Sequence, residues 1–311
     1  MSYRLLSFRG DTGEPVAGLL VQQAVYTVAV LPGLAGYRSV ADLLNDWTRA
    51  QRKLSDAAMS IAASGTPGMA LDQVQLLPPV PSPGAVFCSG GNYTDHVEEM
   101  RALSKLPAEL TIADVCGDSP WHFVKTSRGS VVGPGSSVAN PGDSKMLDWE
   151  LELVAVIGKP ARAVPVDRAL EHVAGYMIAN DLSARDRAVR PEIHQSVPFR
   201  WDWMAHKCFD GSFPCGPWIT PAEDIPNPQQ LAMKLWVNDQ LMQDSNTSRM
   251  IFSVAQQIAH LSRQLTLNPG DLISTGTPAG VGSGRGRFLA RGDALRLEIE
   301  RIGELRHTIA E

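Results

Sequence analysis

DWELELVAVIGKPARAVPVDRALEHVAGYMIANDLSARD, residues 148–186, decides how the rest of the chain is read. Its opening alternates, with Asp148, Glu150 and Glu152 on one side and Trp149, Leu151 and Leu153 on the other. A period of two predicts a strand with three carboxylates on one face. The strand runs on into VAVIG, an apolar stretch that belongs in a core. Carboxylates on a strand entering the core repel one another unless a cation or protons neutralise them. A second strand, YMIAND, ends on Asp181. Glu150, Glu152 and Asp181 together offer hard oxygen donors of the kind that suit Mg2+ or Mn2+ with positions left for water or substrate. A Glu-x-Glu pair on a strand can equally be the solvated face of a half-buried sheet, and a lone Asp a turn or cap residue. The unbroken apolar run and the compact polar signature NDLSARD favour the ligand alternative.

Composition bounds the classes. The chain has 311 residues, 44% of them hydrophobic, enough for one large domain or one large and one small. A net charge of −5 without a basic stripe argues against a nucleic-acid partner. No apolar run is long enough to span a bilayer, and MSYRLLSFRG lacks the apolar centre of a signal peptide. Cys88, Cys116, Cys208 and Cys215 have no C-x-x-C spacing and are expected to be reduced thiols. A cytoplasmic protein is the expectation.

Residues 3–30 read as short strands, and residues 39–63 as a helix with Ser39 as its N-cap. The proline-rich segment 76–84 reads as an extended connector and places a boundary near residue 80. The expected organisation is a small β-rich N-terminal domain over 1–80 and a larger domain over 81–311. TDHVEEM is expected to be helical, so that His96 and Glu99 share a face, either as a surface ion pair or as a working dyad. VDRALEHVA after Pro165 is expected to be a helix ending at Gly175, and residues 248–264 an amphipathic one. Asn238-Asp239 reads as a hairpin turn, and ALRLEIERIGELRHTIA as a closing hairpin. Trp201 and Trp203 could wall a pocket or, more commonly, fill a core.

The stretch 148–186 resembles the heart of the fumarylacetoacetate hydrolase family, with its E-x-E strand and N-D-x-S-A-R-D strand end. FCSGGNYTDHVEEM at 87–100 is similar to the family's N-Y-x-D-H-x-x-E-M segment, HKCFDGSFPCGPWIT at 206–220 to its K-x-F-D segment, and LNPGDLISTGTPAGVG at 267–282 to its T-G-T-P-x-G-V-G run. SPWHFVKTS resembles a segment ending in F-x-K. The resemblance implies a mixed β/α fold, mainly β, built on a rolled mixed sheet with flanking helices. It implies one divalent cation per subunit on Glu150, Glu152 and Asp181. His96 and Glu99 would activate water, Lys207 would lie in the active site, and Arg185, Thr277 and Tyr93 would contact substrate. The implied reaction is hydrolytic C–C cleavage of a 1,3-dioxo acid of the acylpyruvate or fumarylpyruvate kind, through a metal-held enolate, in the breakdown of aromatic compounds. Decarboxylation of a 2-oxo acid or isomerisation of a dienoate are the alternatives within the family, and a non-catalytic acid-binding protein the alternative outside it. A homodimer is expected. Two departures stand out. Ala188 occupies a position where relatives often carry Gln, and residues 101–120 form an insertion. With the two tryptophans, they suggest a bulkier or less polar substrate tail.

Overall fold

The computed structural model describes residues 2–104, 106–107, 109–142 and 144–311. The fold is mixed α/β and mainly β. Its spine is a long sheet in the order Met69–Ala70, Ala24–Thr27, Pro15–Val21, Arg4–Arg9, Phe213–Pro221, Val173–Asn180, Leu151–Ile157, Leu272–Ser274, Val86–Ser89, His122–Lys125. A second sheet runs Gln240–Asn246, Ala232–Val237, Ala294–Ile299, Gly303–Ile309, Ser137–Val138. The long sheet is antiparallel through its centre, with Leu151–Ile157 between Val173–Asn180 and Leu272–Ser274. Leu272–Ser274 then pairs in parallel with Val86–Ser89.

Every residue of Leu151–Ile157 and Val173–Asn180 is buried. That follows from their largely apolar composition, Glu152 and Asn180 apart, since a strand covered on both faces needs no polar alternation. One face packs against the second sheet and the helix Val254–Gln264, through Leu153, Ile178, Leu235, Ile258 and Leu297. The other face meets N-terminal residues, with Val154, Val156 and Met177 in one cluster with Trp47, Leu54 and Leu19. The sheet thus runs unbroken from the N-terminal strands into the strands that carry the acids.

Several sequence expectations change locally. The helix expected over 39–63 is two, Val40–Asn45 and Trp47–Ser64, broken at Asp46. Ser39 does cap the first, in a reciprocal capping box with Asp42. The helix expected after Pro165 is a 3-10 segment, Val166–His172, and its last expected residues belong to the next strand. Only Ala169 of that segment is buried, so it has no apolar stripe to hold a full helix. The helix expected over 248–264 begins only at Val254, capped by Ser253, after a 3-10 turn Thr247–Arg249. Both Asn238 and Asp239 have positive φ, as the expected two-residue hairpin turn requires. The closing hairpin is Ala294–Ile299 with Gly303–Ile309.

His307 on that hairpin ties the second sheet to the first. Asn180 Nδ2 donates to His307 Nε2 at 2.9 Å, and Asn180 Oδ1 accepts from the Glu150 backbone N–H at 2.8 Å. Burial pulls the His307 pKa from 6.5 down to about 4. The unfolded chain takes up this proton near 6.5 and the folded chain only near 4, so acidification between those values favours unfolding. Stability from this group is complete above the upper value and is lost, at up to about 1.4 kcal/mol per pH unit, as pH falls through the window. Urea unfolding at pH 7, 6 and 5 should show a shallower loss for His307→Gln than for the parent, and parallel slopes would contradict this account.

Candidate active site

The acids form where the long sheet's two central strands end. The expected regular strand from Asp148 is interrupted. Leu147–Asp148 pairs with Ser183–Ala184, and the main strand resumes at Leu151. Trp149 fills the core at the break, its Nε1 donating to the Gly280 carbonyl at 3.1 Å. The break separates the carboxylates. Asp148 turns away and accepts the Ser283 N–H at 3.0 Å and the Arg185 Nε at 2.9 Å. Glu150, Glu152 and Asp181 stay together, each offering an oxygen within 4.8 Å of the others, and all are buried.

Their surroundings are unequal. Glu150 takes the Lys207 Nζ at 2.9 Å and the Arg185 Nη2 at 2.6 Å. Burial alone would raise its pKa, but the Lys207 and Arg185 cations hold it well below the usual carboxylate range. Lys207 also donates to Asp181 Oδ2 at 2.8 Å. Burial would lower the Lys207 ammonium, and Asp181 and Glu150 outweigh that and keep it firmly protonated. Lys125 Nζ lies 2.8 Å from Asp181 Oδ1. Its donors point to the carbonyls of Leu182, Lys207 and Ser212, so the Asp181 contact is one of charge rather than a directed hydrogen bond. Glu152 has no cation of its own. Its Oε2 accepts from Ser274 Oγ and from the Gly276 N–H, while Oε1 has no hydrogen-bond partner among the described residues. Gly276, at φ +95°, gives the loop the turn that aims this N–H. Burial, Asp181 and Glu150 all push the Glu152 pKa up. An orphaned buried acceptor beside two other carboxylates is a donor set suited to a divalent cation, which would relieve that repulsion.

A cavity of about 630 Å³ opens onto this cluster, with Glu150, Arg185, Lys207, His96 and Thr277 on its wall. A hollow of about 760 Å³ in the N-terminal region, between Ala24–Thr27 and Trp47–Ser64, holds no comparable cluster of acids and cations. His96 and Glu99 lie on the helix Thr94–Ser104, with His96 Nδ1 3.3 Å from Glu99 Oε2. Glu99 is held from the other side by the Gly280 N–H at 3.1 Å. Thr277 Oγ1 accepts from Gln243 Nε2, whose Oε1 takes the Leu151 N–H.

Glu150, Glu152, Asp181, Lys207, Arg185, His96 and Thr277 therefore converge. Tyr93 does not. It is fully buried in the core and its hydroxyl contacts Met233 Sδ at 3.2 Å, so it supports the helix start from below rather than facing the cavity. Of the two alternatives for Trp201 and Trp203, neither ring fills the core, and Trp203 walls a pocket. Trp201 is largely exposed, and Trp203 lines the cavity with Trp121, Phe123 and His206. Burial, then Lys207 and Arg185, hold His206 neutral down to about 2, and neither ring nitrogen has a partner. The insertion carries a short helix, Ile112–Cys116, whose end reaches the same cavity. Asp148, expected to share a strand face with Glu150 and Glu152, instead turns away from them, and the F-x-K likeness points at Lys125 without assigning it work.

A family model described as the fumarylacetoacetate (FAA) hydrolase C-terminal domain matches residues 85–310. The chain belongs to the fumarylacetoacetate hydrolase family. It is 33% identical to the mitochondrial oxaloacetate tautomerase of Xenopus laevis, over 99% of this chain and 91% of that protein. It is 39% identical to a 2,4-didehydro-3-deoxy-L-rhamnonate hydrolase of a Sphingomonas species, over 75% of each. The structure superposes with a TM-score of 0.72 on the maleylpyruvate hydrolase of Sphingobium sp. SYK-6, in complex with manganese(II) and pyruvate. That pair shares 27% identity, and the match covers 99% of this chain and 98% of that one.

Adding Mn2+ or Mg2+ to metal-stripped protein is expected to raise its melting temperature. A cation at about a hundred times its Kd contributes about 2.7 kcal/mol, or several degrees for a chain of this size. Glu152→Ala should abolish that shift. An unchanged melting curve for the parent protein with either cation would exclude the site.

Proposed function

We propose that this member of the family is a metal-dependent hydrolase that cleaves the C–C bond of a 1,3-dioxo acid of the acylpyruvate or fumarylpyruvate type. The observation that carries it is His96, on the wall of the cavity that also reaches Glu150 and Lys207, with Glu99 behind it at 3.3 Å from Nδ1. Cleavage adds water across the bond, so that an acylpyruvate anion and water give a carboxylate, pyruvate and a proton.

Glu150, Glu152 and Asp181 would hold one Mg2+ or Mn2+, which supplies Lewis-acid polarisation of the substrate's oxo and carboxylate oxygens. Arg185 offers a guanidinium edge for the substrate carboxylate, its orientation fixed by Asp148 and Glu150. Glu99 orients the His96 ring through Nδ1, leaving Nε2 to take a proton from water as it attacks the distal carbonyl. Lys207, kept protonated by Glu150 and Asp181, provides a fixed positive charge and a proton donor for the departing enolate. Thr277, held by Gln243, lines the same wall as a hydroxyl partner for the substrate.

The domain division near residue 80, a homodimer and a cytoplasmic setting belong to the same proposal. Exposed Phe199, Trp201 and Met204 offer an apolar face for a second subunit. Four free thiols suit a reducing compartment. No helix among the described residues is long and apolar enough to cross a membrane. Breakdown of aromatic compounds would supply substrates of this chemistry.

The likeness to an oxaloacetate tautomerase favours a second reading, in which the same residues move a proton between carbon and oxygen without attacking water. The two separate cleanly. Purified protein with Mn2+ should consume the enol absorbance of acetylpyruvate or fumarylpyruvate and release stoichiometric pyruvate, and EDTA should stop it. His96→Asn and Glu99→Gln should lower kcat about 10²- to 10⁴-fold. Metal-dependent decay of enol-oxaloacetate, with no pyruvate from either dioxo acid, would replace cleavage with tautomerisation.

A further inference from the structure

The outer part of the cavity is built unlike its floor. Trp121, Phe123 and Trp203 form a continuous aromatic wall, with centroids 4.9 Å apart for Trp121–Trp203 and 5.4 Å for Phe123–Trp203. The Phe123 and Trp203 rings are stacked with their planes 29° apart, and Trp121 is tilted 53° from Trp203. It begins beside the reacting end, because Lys207 Nζ stands 5.1 Å from the Phe123 ring centre. Trp121 lies directly over Gly90, where a Cβ would come within 2.6 Å of the indole. A glycine at 90 therefore lets the ring lie against the backbone. Yet Trp121 is 47% and Trp203 39% exposed, so their faces are built but uncovered. Val97, Met100 and Val115 continue the apolar lining opposite the floor.

Charge is equally uneven. Arg185 and Lys207 are the cationic side chains among the described residues of the lining, and both are already paired with Asp148, Glu150 and Asp181 at the floor. A second carboxylate at the aromatic wall would lose its water without gaining a cation. A planar, uncharged group would stack on the indoles and remove apolar surface from water.

We infer that Trp121, Phe123 and Trp203 select dioxo acids whose distal acyl group is planar and uncharged, aryl ketones above all, over those that end in a second carboxylate. This rests on the proposed cleavage for the head group and adds the class of the tail.

The test compares benzoylpyruvate, acetylpyruvate and fumarylpyruvate on the Mn2+-loaded enzyme. The aryl substrate is expected to have a kcat/KM at least about tenfold above fumarylpyruvate, a ratio within reach of one good stacking contact. Trp203→Ala should lower kcat/KM for benzoylpyruvate about tenfold, mainly through KM, and leave acetylpyruvate within about twofold, while Trp203→Phe restores most of the loss. Fumarylpyruvate turned over as well as benzoylpyruvate, or an equal loss on all three substrates in Trp203→Ala, would overturn the inference. Calorimetry with two acids that cannot be cleaved supplies a readout independent of turnover. Phenylpyruvate should bind the Mn2+-loaded protein more tightly than 2-oxoglutarate, and the preference should vanish in Trp203→Ala. If that preference holds while all three dioxo acids stay inert, cleavage fails and the selection of tails stands. A preference for 2-oxoglutarate sinks the selection whatever the turnover.

Discussion

The structure depends on keeping three carboxylates side by side in a buried strand end. Glu150, Glu152 and Asp181 are withdrawn from water by the same strands that form the centre of the sheet. Burying charge this way is strongly unfavourable unless each group is paired and hydrogen-bonded. Counting Asp148, four carboxylates meet three cationic side chains, Arg185, Lys207 and Lys125. The deficit falls on Glu152, which has hydrogen bonds but no cation. The site is thus balanced to within one charge by these side chains, and the imbalance sits at Glu152.

That requirement explains features that look unrelated in the chain. The break at Trp149 and Glu150 lets Asp148 serve the loop after residue 280 while Glu150 joins the cluster. Asn180 secures the Glu150 backbone and is itself secured by His307, so the second sheet registers the first at the point where the acids project. Lys125 fastens the carbonyls of Leu182, Lys207 and Ser212 to one ammonium, and in doing so places its charge against Asp181. A side chain that spends its hydrogen bonds on backbone and its charge on a carboxylate fixes both the fold and the site. Neither role can be removed without disturbing the other.

Local period and composition carried much of this. The apolar runs of Leu151–Ile157 and Val173–Asn180, the Asn238-Asp239 turn and the Ser39 cap all rest on interactions within a few residues, and they were legible. So was the convergence of Glu150, Glu152, Asp181, Lys207, Arg185, His96 and Thr277, which the family resemblance carried. The failures are those where distant packing decides. Val166–His172 has helical spacing but little to bury, so it tightened to 3-10 geometry and surrendered its end to a strand. Tyr93 sits within a motif whose neighbours face the cavity, yet its position beside the bridge to Met250 turns it into the core. Trp203 and Trp121 are far apart in sequence, and no periodicity brings their rings together. Lys125 is one lysine in a short strand, and its burial follows from chain segments that close around it only in the fold.

The division of labour in the cavity bears on how one family can serve several reactions. With a cation on its acids, the proposed floor would polarise and protonate a 2-oxo acid in cleavage and in tautomerisation alike. In the proposed cleavage, water activation would belong to a different segment. His96 and Glu99 come from the helix Thr94–Ser104, and Glu99 is locked to the 280 loop through the Gly280 N–H. Gly284 faces Glu99 so closely that a Cβ there would meet its carboxylate, so the pair keeps its geometry only while that loop stays packed beneath it. The inferred tail recognition would fall to a third set, on His122–Lys125 and the short helix Trp203–Lys207, and that helix also carries Lys207, the proposed partner of the enolate. In the proposed reaction a tail seated against Trp203 would add affinity alike before and during bond cleavage, so its loss would raise KM rather than lower kcat.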